Sequence, residues 1–341
     1  MNRKNIIAKQ SWKNIDNHFI SAITNEWYHK LVEVQNLISI HTTKFYQEKE
    51  IKTLYLPVTT GSISSPMGLG SDSSPVKVNV CGIDTYLADS MQFMLEYGCR
   101  FQKQGCYYIM PSFRGENADD RHLCQFYHSE AEIPGKLEDV ICLVENYLSY
   151  LSTHILEDFG ESLEKIAGTV THVEAMAKKT EALPRITIND AIKTLNNDTA
   201  YVVNHKSGFQ TLNSNGEKEL IRLFNGPVWL THFNVKSVPF YQATDPENKE
   251  LALNADLLMG IGETVGSGER HFNGKELLES LRVHELDIHE YEWYYRLKEE
   301  FPLKTSGFGM GIERFILWLF KHNDIRDCQL LPRFNGVNIV P

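Results

Sequence analysis

The sequence predicts an α+β chain: an antiparallel β-sheet flanked by helices. Three observations carry that expectation. Strand-like runs follow one another in succession, amphipathic helical stretches stand at intervals, and the glycine-rich segments lack the strand-then-acidic-residue setting of a dinucleotide fold. Residues 28–47 place Leu31, Val34, Leu37, Ile38, His41 and Phe45 on one helical face, and the strand-like IKTLYLP follows and stops at Pro57. From Val58 to Pro75 the composition turns abruptly to Gly, Ser, Thr and Pro. Strands resume at once, so this stretch reads as a lid rather than a linker. VKVNVCGIDTYLA alternates around Gly82 as a hairpin, and a helix over 90–103 leads into the strand CYYIMPSFR. After a polar loop CQFYHSEAEI alternates again, and an amphipathic helix is expected from Leu137 to Phe159. Residues 183–226 read as a mixed insertion. Strands return in VWLTHF and ALNADLLMGIGETVG, charged helices run from Lys275 to Glu300, and an apolar helix FILWLFKH precedes the tail IRDCQLLPRFNG.

Composition narrows the function classes. The 341 residues are 42% apolar and 23% charged, with 17 Phe, 15 Tyr and 5 Trp, enough to build a large core and to exclude disorder as the main character. No run of about 18 apolar residues is present, so no transmembrane helix and no membrane partner are expected. The basic start, MNRKNIIAKQ, lacks the apolar stretch of a secretory signal. Six scattered cysteines without CxxC spacing read as free thiols of a reducing cytoplasm, with no structural zinc. The formal net charge of −10 gives no general electrostatic footprint for nucleic acid, although a local basic patch stays open.

Polar residues concentrate in three places where a strand pattern should continue. The first is Phe113-Arg114-Gly115-Glu116 with the returning Arg121-His122-Leu123-Cys124-Gln125-Phe126. An arginine and a glutamate two residues on share one face of a strand, and arginine can grip a phosphate bidentately. The alternative is a hairpin with solvated charges. The second is Asp256 through Glu263 to Arg270, two carboxylates in a glycine-rich apolar strand that could coordinate Mg²⁺ on phosphates, or else a bulged strand pair with surface charges. The third is Gly307-Phe-Gly-Met-Gly-Ile-Glu313-Arg314, where a charge opens an otherwise apolar helix and requires either an acidic partner or a phosphate.

Together these segments resemble the catalytic domain of class II aminoacyl-tRNA synthetases, in the aspartyl/asparaginyl branch. PSFRGEN…RHLCQFYHSEAEI is similar to motif 2, GFGMGIERFILWLF…IRDCQLLPR to motif 3, and residues 31–57 to motif 1, the dimer-forming helix and strand. NADLLMGIGETVGSGER is similar to the metal-binding strands between motifs 2 and 3, and the agreement runs from about residue 28 to 336. The resemblance implies an N-terminal extension over 1–27, a catalytic domain over 28–341, ATP and Mg²⁺ as cofactors, and a homodimer. It implies that Arg114 binds the α-phosphate and Glu116 the adenine amino group or the substrate amine. His122 would hold the γ-phosphate, Phe126 the adenine ring, and Arg314 the γ-phosphate or the other face of the ring. Asp256 and Glu263 would hold Mg²⁺; Ser90 and Gln92 would recognise the amino group, and Arg270 the side-chain carbonyl of aspartate or asparagine.

Departures from the branch shape the expected function. About 100 residues would be needed for the anticodon-binding module that precedes this domain in the branch, the motif 2 loop is short, Gln125 stands where Glu is usual, and the lid carries Asp72 but no Glu. The pattern Pro332-Arg333-Phe334-Asn335-Gly336 is similar to the asparaginyl-tRNA-synthetase-related asparagine synthetases. The expectation is therefore an AMP-forming ligase that adenylates aspartate or an analogue and transfers it to ammonia or an amine, with tRNA not expected as a partner. Glu96 cuts across plain aspartate: a glutamate accepts a hydrogen bond from an amide but repels a carboxylate. It supports the alternatives of an asparagine-activating enzyme with a non-tRNA acceptor or a truncated asparaginyl-tRNA synthetase. A further alternative is a regulatory paralogue that binds amino acid or RNA.

Overall fold

The computed structural model describes residues 5–64 and 74–339. In chain order its helices are α1 (His18–Thr24), α2 (Glu26–Glu48), α3 (Gln92–Gly98), α4 (Leu137–Ala167), α5 (Thr171–Ala177), α6 (Ile188–Thr194), α7 (Ser214–Leu223), α8 (Gly274–Val283), α9 (Glu292–Glu300) and α10 (Ile312–Phe320). The strands are β1 (Lys52–Thr53), β2 (Thr59–Thr60), β3 (Val76–Val80), β4 (Ile83–Leu87), β5 (Cys106–Phe113), β6 (Gln125–Pro134), β7 (Arg185–Thr187), β8 (Val202–Asn204), β9 (Gln210–Leu212), β10 (Val228–Thr231), β11 (Asn254–Met259), β12 (Gly262–Glu269) and β13 (Thr305–Gly311).

Eight strands form the main sheet in the order β1-β5-β6-β13-β12-β11-β10-β7. The interior pairs are antiparallel as expected, while both outermost pairs, β1 with β5 and β10 with β7, are parallel. β2, β4 and β3 make a small separate sheet at the root of the glycine- and serine-rich stretch.

α2 starts where Asn25 accepts a hydrogen bond from Trp27 N at 2.8 Å, and its buried residues fall at helical spacing: Leu31, Val34, Ile38, Phe45. α4 runs eight residues past the predicted Phe159, to Ala167, because Leu163 and Ile166 continue the apolar stripe until Gly168 takes φ 78°. α4 and α2 cover one face of the sheet, with Val144, Tyr147, Leu148, Leu151 and Ile155 packed in the same core as Trp229, Val265, Phe308 and Phe315. Two predicted elements are shorter than expected. The helix over 90–103 ends at Gly98, whose backbone is pressed against Cys106 and Leu54, and the strand before Pro57 pairs only through Lys52 and Thr53. The stretch 183–226 adds β7 to the sheet edge and packs α6 and α7 around Ala191, Ile192, Leu220, Val228 and Leu258. No helix among the described residues is long and apolar enough to cross a membrane.

Residues 11–27 are tied to the end of the chain. Trp12 Nε1 donates to Asp327 Oδ1 at 2.9 Å, Trp27 Nε1 to the Asp327 carbonyl at 2.8 Å, and His322 Nε2 lies 2.9 Å from Asp327 Oδ2. Asp327 is fully buried, so its removal strands two donors. Asp327→Ala is expected to cost about 2–4 kcal/mol, read as a lower urea midpoint with an unchanged m-value.

Candidate active site

The face of the sheet opposite α4 and α2 carries the site, and β6 is its ruler. Phe126, His128, Glu130 and Glu132 alternate onto one face of this strand, about 7 Å apart from one to the next. Their neighbours on β13 are glycines: Gly311 opposite His128, Gly309 opposite Glu130 and Gly307 opposite Glu132. A Cβ on Gly307 would collide with Glu132 and Arg270, and one on Gly268 with Gln242. The glycines therefore leave a bare floor on which functional side chains lie flat.

At the Phe126 end a cleft of about 560 Å³ is lined by Arg114, Glu116, His122, Phe126, Glu263 and Arg314, among others. The Arg114 guanidinium lies 5.7 Å from the centre of the Phe126 ring. Arg114 Nε, Glu116 Oε2 and Arg121 Nε are buried without a hydrogen-bond partner among the described residues. Buried polar atoms of this kind call for a ligand, and two guanidinium groups with a carboxylate fit a nucleoside polyphosphate. His122 is held by Asp119 at 2.9 Å, and burial together with Arg314 pushes its pKa down. Asn335 closes the cleft's outer loop, donating to the Glu116 carbonyl at 2.9 Å and accepting from Ala118 N at 2.7 Å.

Arg314, at the start of α10, donates to the Glu263 carbonyl at 2.5 Å, with the Glu263 carboxylate 3.8 Å away. Asp256 and Glu263 converge over Gly266, whose added Cβ would stand 3.0 Å from Glu263 Oε1 and 3.7 Å from Asp256 Oδ1. Burial, then Glu263 and Glu217, pushes the Asp256 carboxyl well above its ordinary range. A crowded carboxylate pair of this kind suits Mg²⁺, which takes one or two carboxylates and completes its shell with phosphates and water. Among the described residues no group of three or more His, Cys, Asp and Glu could hold a metal on its own. The stretch 183–226 contributes to the site, which its sequence did not suggest. Glu217 on α7 accepts from Arg121 Nη2 at 2.8 Å and from Glu263 N at 3.3 Å.

At the Glu132 end the groups turn polar and buried. Ser90 Oγ donates to Glu130 Oε2 at 2.6 Å, Tyr108 donates to the same oxygen at 2.5 Å, and His128 Nδ1 lies 2.9 Å from Glu130 Oε1. Burial raises the Glu130 carboxyl, but His128, Ser90 and Tyr108 outweigh it and hold it below the usual range. Gln92 N donates to Ser90 Oγ at 3.1 Å, fixing the start of α3. Arg270 grips Glu132 with Nε at 3.0 Å and Nη2 at 2.9 Å, stacks 5.1 Å over Tyr241, and turns Nη1 toward Gln242.

Glu96 is not the open acceptor expected of it. Lys298 Nζ lies 2.6 Å from its Oε1, Arg100 Nη1 3.3 Å from the same oxygen, and Tyr294 donates to Oε2. Burial pushes the Glu96 carboxyl up, yet Lys298 and Arg100 bring it below the ordinary range, so its charge is neutralised inside the protein. Glu96 thus supports the pocket from behind, and the repulsion argued for an incoming carboxylate is cancelled by Lys298, a residue that sequence spacing did not reveal. The start of the expected lid docks beside this end: Trp293 Nε1 donates to Ser62 Oγ at 2.9 Å, Tyr291 to the Ile63 carbonyl at 3.1 Å, and Ser64 Oγ to Asp89 at 3.0 Å. Most of the remaining lid, with Asp72, lies outside the described residues.

Residues 12–335 match the family described as tRNA synthetases class II (D, K and N), and the chain belongs to that family. It is 30% identical over 265 residues to the asparagine–tRNA ligase of Thermoplasma acidophilum, covering 76% of this chain and 60% of that one. It is also 30% identical over 301 residues to a probable cytoplasmic asparagine–tRNA ligase of Encephalitozoon cuniculi, covering 86% and 65%. The chain thus spans about two thirds or less of these relatives. Among solved structures, asparaginyl-tRNA synthetase from Pyrococcus horikoshii complexed with asparaginyl-adenylate superposes with a TM-score of 0.87 at 24% identity, over 96% of this chain and 74% of that one. The Entamoeba histolytica enzyme with asparaginyl-adenylate gives 0.82 at 24% identity, over 97% and 73%. These likenesses confirm the α+β class II synthetase fold.

Two measurements probe the buried network. Lys298→Met leaves Glu96 without its closest cation, and a loss of about 3–5 kcal/mol is expected in urea unfolding; a change below 1 kcal/mol would show that the pair contributes nothing. His271, whose carbonyl also accepts from Lys298 at 2.6 Å, has its pKa pushed down to about 3 by burial and by Lys298. The unfolded chain therefore binds one more proton between pH 6.5 and 3, and stability falls as pH drops through that window by about 1.4 kcal/mol per unit. His271→Gln should flatten that slope by one proton.

Proposed function

We propose that the chain is an AMP-forming ligase of the asparaginyl-tRNA synthetase type that activates asparagine as asparaginyl-adenylate. The observation that carries this reading is the pairing of the pocket's cations. Arg270 is bidentate on Glu132, and Lys298 and Arg100 are held on Glu96, while Glu130 adds a carboxylate beside the amino-group residues. A neutral amide enters such a pocket at lower electrostatic cost than a second carboxylate. Arg270 Nη1, with only a 3.4 Å contact to Gln242, suits an amide carbonyl. The asparagine–tRNA ligase relatives support this reading over the aspartate-plus-ammonia one.

In the proposed reaction ATP lies along the cleft with its base at Phe126 and Glu116. Arg114 takes the α-phosphate, and Arg314 and His122 the outer phosphates. Mg²⁺ held by Asp256 and Glu263 would neutralise phosphate charge. Ser90, Gln92 and the Glu130 cluster hold the α-amino group, which aims the α-carboxylate at the α-phosphorus. The carboxylate oxygen attacks, pyrophosphate leaves, and the two arginines stabilise the charge on the pentacoordinate phosphorus. No enzyme nucleophile is required. The acceptor is the 3′ end of a tRNA, as the relatives' names indicate for them, or an amine. Exposed Val32, Ile40 and Tyr55 support the expected homodimer through residues 28–57.

Pyrophosphate exchange tests the assignment. With Mg-ATP, exchange should depend on asparagine and respond weakly to aspartate, and Arg114→Ala should lower it by about 100-fold or more with the fold intact. Exchange with aspartate alone, accompanied by labelled asparagine from ¹⁵N-ammonium, would replace this reading with the synthetase one.

A further inference from the structure

His128 belongs to neither group of residues that the sequence singled out, yet it occupies the middle of the groove. On β6 it stands between Phe126, at the base end, and Glu130, at the amino-group end, and it lines the same cleft as Arg114 and Arg314. An acyl-adenylate joins its two halves through one carboxyl–phosphate bond, so a ligand spanning these ends brings that bond beside His128.

The ring is oriented. Nδ1 lies 2.9 Å from Glu130 Oε1 and 2.8 Å from Ser112 Oγ, and the ring stands at 87° to the Phe126 ring with centroids 4.7 Å apart. Glu130 already accepts from Ser90 and Tyr108, so the favourable arrangement puts the proton on Nδ1, donated to the carboxylate. Nε2 then carries the lone pair, on the side away from Glu130. A carboxylate behind an imidazole that presents a free nitrogen to the reacting bond is the arrangement of a general base. Opposite His128, Gly311 contributes no side chain to obstruct approach.

We propose that His128 is the general base of the transfer step, resting on the adenylate-forming reading above. The acceptor's nitrogen or oxygen lone pair attacks the adenylate carbonyl carbon, and the new C–N or C–O bond forms. The bond from that carbon to the phosphate oxygen breaks, its electron pair leaves with AMP, and the acceptor proton passes to Nε2. Glu130 stabilises the resulting imidazolium.

Small amines separate this role from a merely structural one. Hydroxylamine is unprotonated at neutral pH and its adduct sheds a proton to water readily, whereas ammonia depends on a base. With asparagine and Mg-ATP, His128→Gln should lower transfer to ammonia at least tenfold more than transfer to hydroxylamine, read as asparagine amide against hydroxamate. Transfer to ammonia should also fall at least tenfold more than pyrophosphate exchange does, and exchange in the variant doubles as the check on folding. Equal losses for both amines, or a parallel loss of exchange, would overturn the proposal and leave His128 as a brace for Glu130. If His128→Gln does not fold, His128→Asn is read the same way. Wild-type protein without amino-acid-dependent exchange would defeat the adenylate reading itself, a result separate from any effect of the variant.

Discussion

A guanidinium and a carboxylate buried side by side, Arg270 and Glu132, set the terms for the whole groove. Each is almost fully removed from water, and neither could stay charged there without the other. The pair lies flat on the sheet only because Gly307 contributes no side chain beneath it, and Gly268 makes the same room for Gln242, toward which Arg270 turns Nη1. The pair and the glutamine beside it thus fix where glycine must stand on two adjacent strands. Those glycines open the floor, and the open floor lets β6 carry four functional side chains in line. The helices α4 and α2 bury the opposite face, so the groove is backed by the main core, which Leu123 and Ile325 join to the cleft.

In the proposed reading the two ends of this line differ in how their charges are paired. The phosphate end gathers Arg114, Arg121 and Arg314, with the carboxylates Asp256, Glu263 and Glu217 on one side. The amino-acid end sets three carboxylates, Glu96, Glu130 and Glu132, against Lys298, Arg100 and Arg270, so its net field is small. At the phosphate end Arg114 Nε and Arg121 Nε stay without partners among the described residues, which suits a polyphosphate, whereas a pocket whose cations are already paired suits a zwitterion bearing an amide. Asp256 shows the cost of this design. Its carboxyl is pushed up by burial and by its acidic neighbours, a destabilising arrangement in the free protein that bound cationic charge would relieve.

Most residues that converge here were legible in local patterns, Glu313-Arg314 opening an apolar helix and Asp256 and Glu263 in a glycine-rich strand pair, whereas Arg114 and Glu116, expected at period two on a strand, lie just past the end of β5 at Phe113. The alternation of strand runs carried the antiparallel interior of the sheet in the same way. What stayed hidden depends on long-range partners. Lys298 meets Glu96 across 202 residues, and Glu217 meets Arg121 across 96, distances over which no spacing rule operates. Glu96 is paired from α9, whose Lys298 no local pattern links to it. His128 and Glu130 are a different matter. They continue the period of Phe126 within a strand already recognised, and following that period two steps further would have found them.

In the proposed reaction the same ruler lets one groove serve two successive steps. Adenylation needs phosphates and carboxylate brought in line, which the two ends of β6 would achieve by holding base and amino group a fixed number of residues apart. Transfer needs a third group beside the bond that adenylation creates, without obstructing its formation. On a strand, the residue between two ligand-holding positions is automatically beside the middle of the ligand, and it points to the same face only if the spacing is even. Phe126, His128 and Glu130 satisfy that parity. A one-residue slip of β6 against β13 would turn all three away together, which ties the chemistry of both steps to a single register.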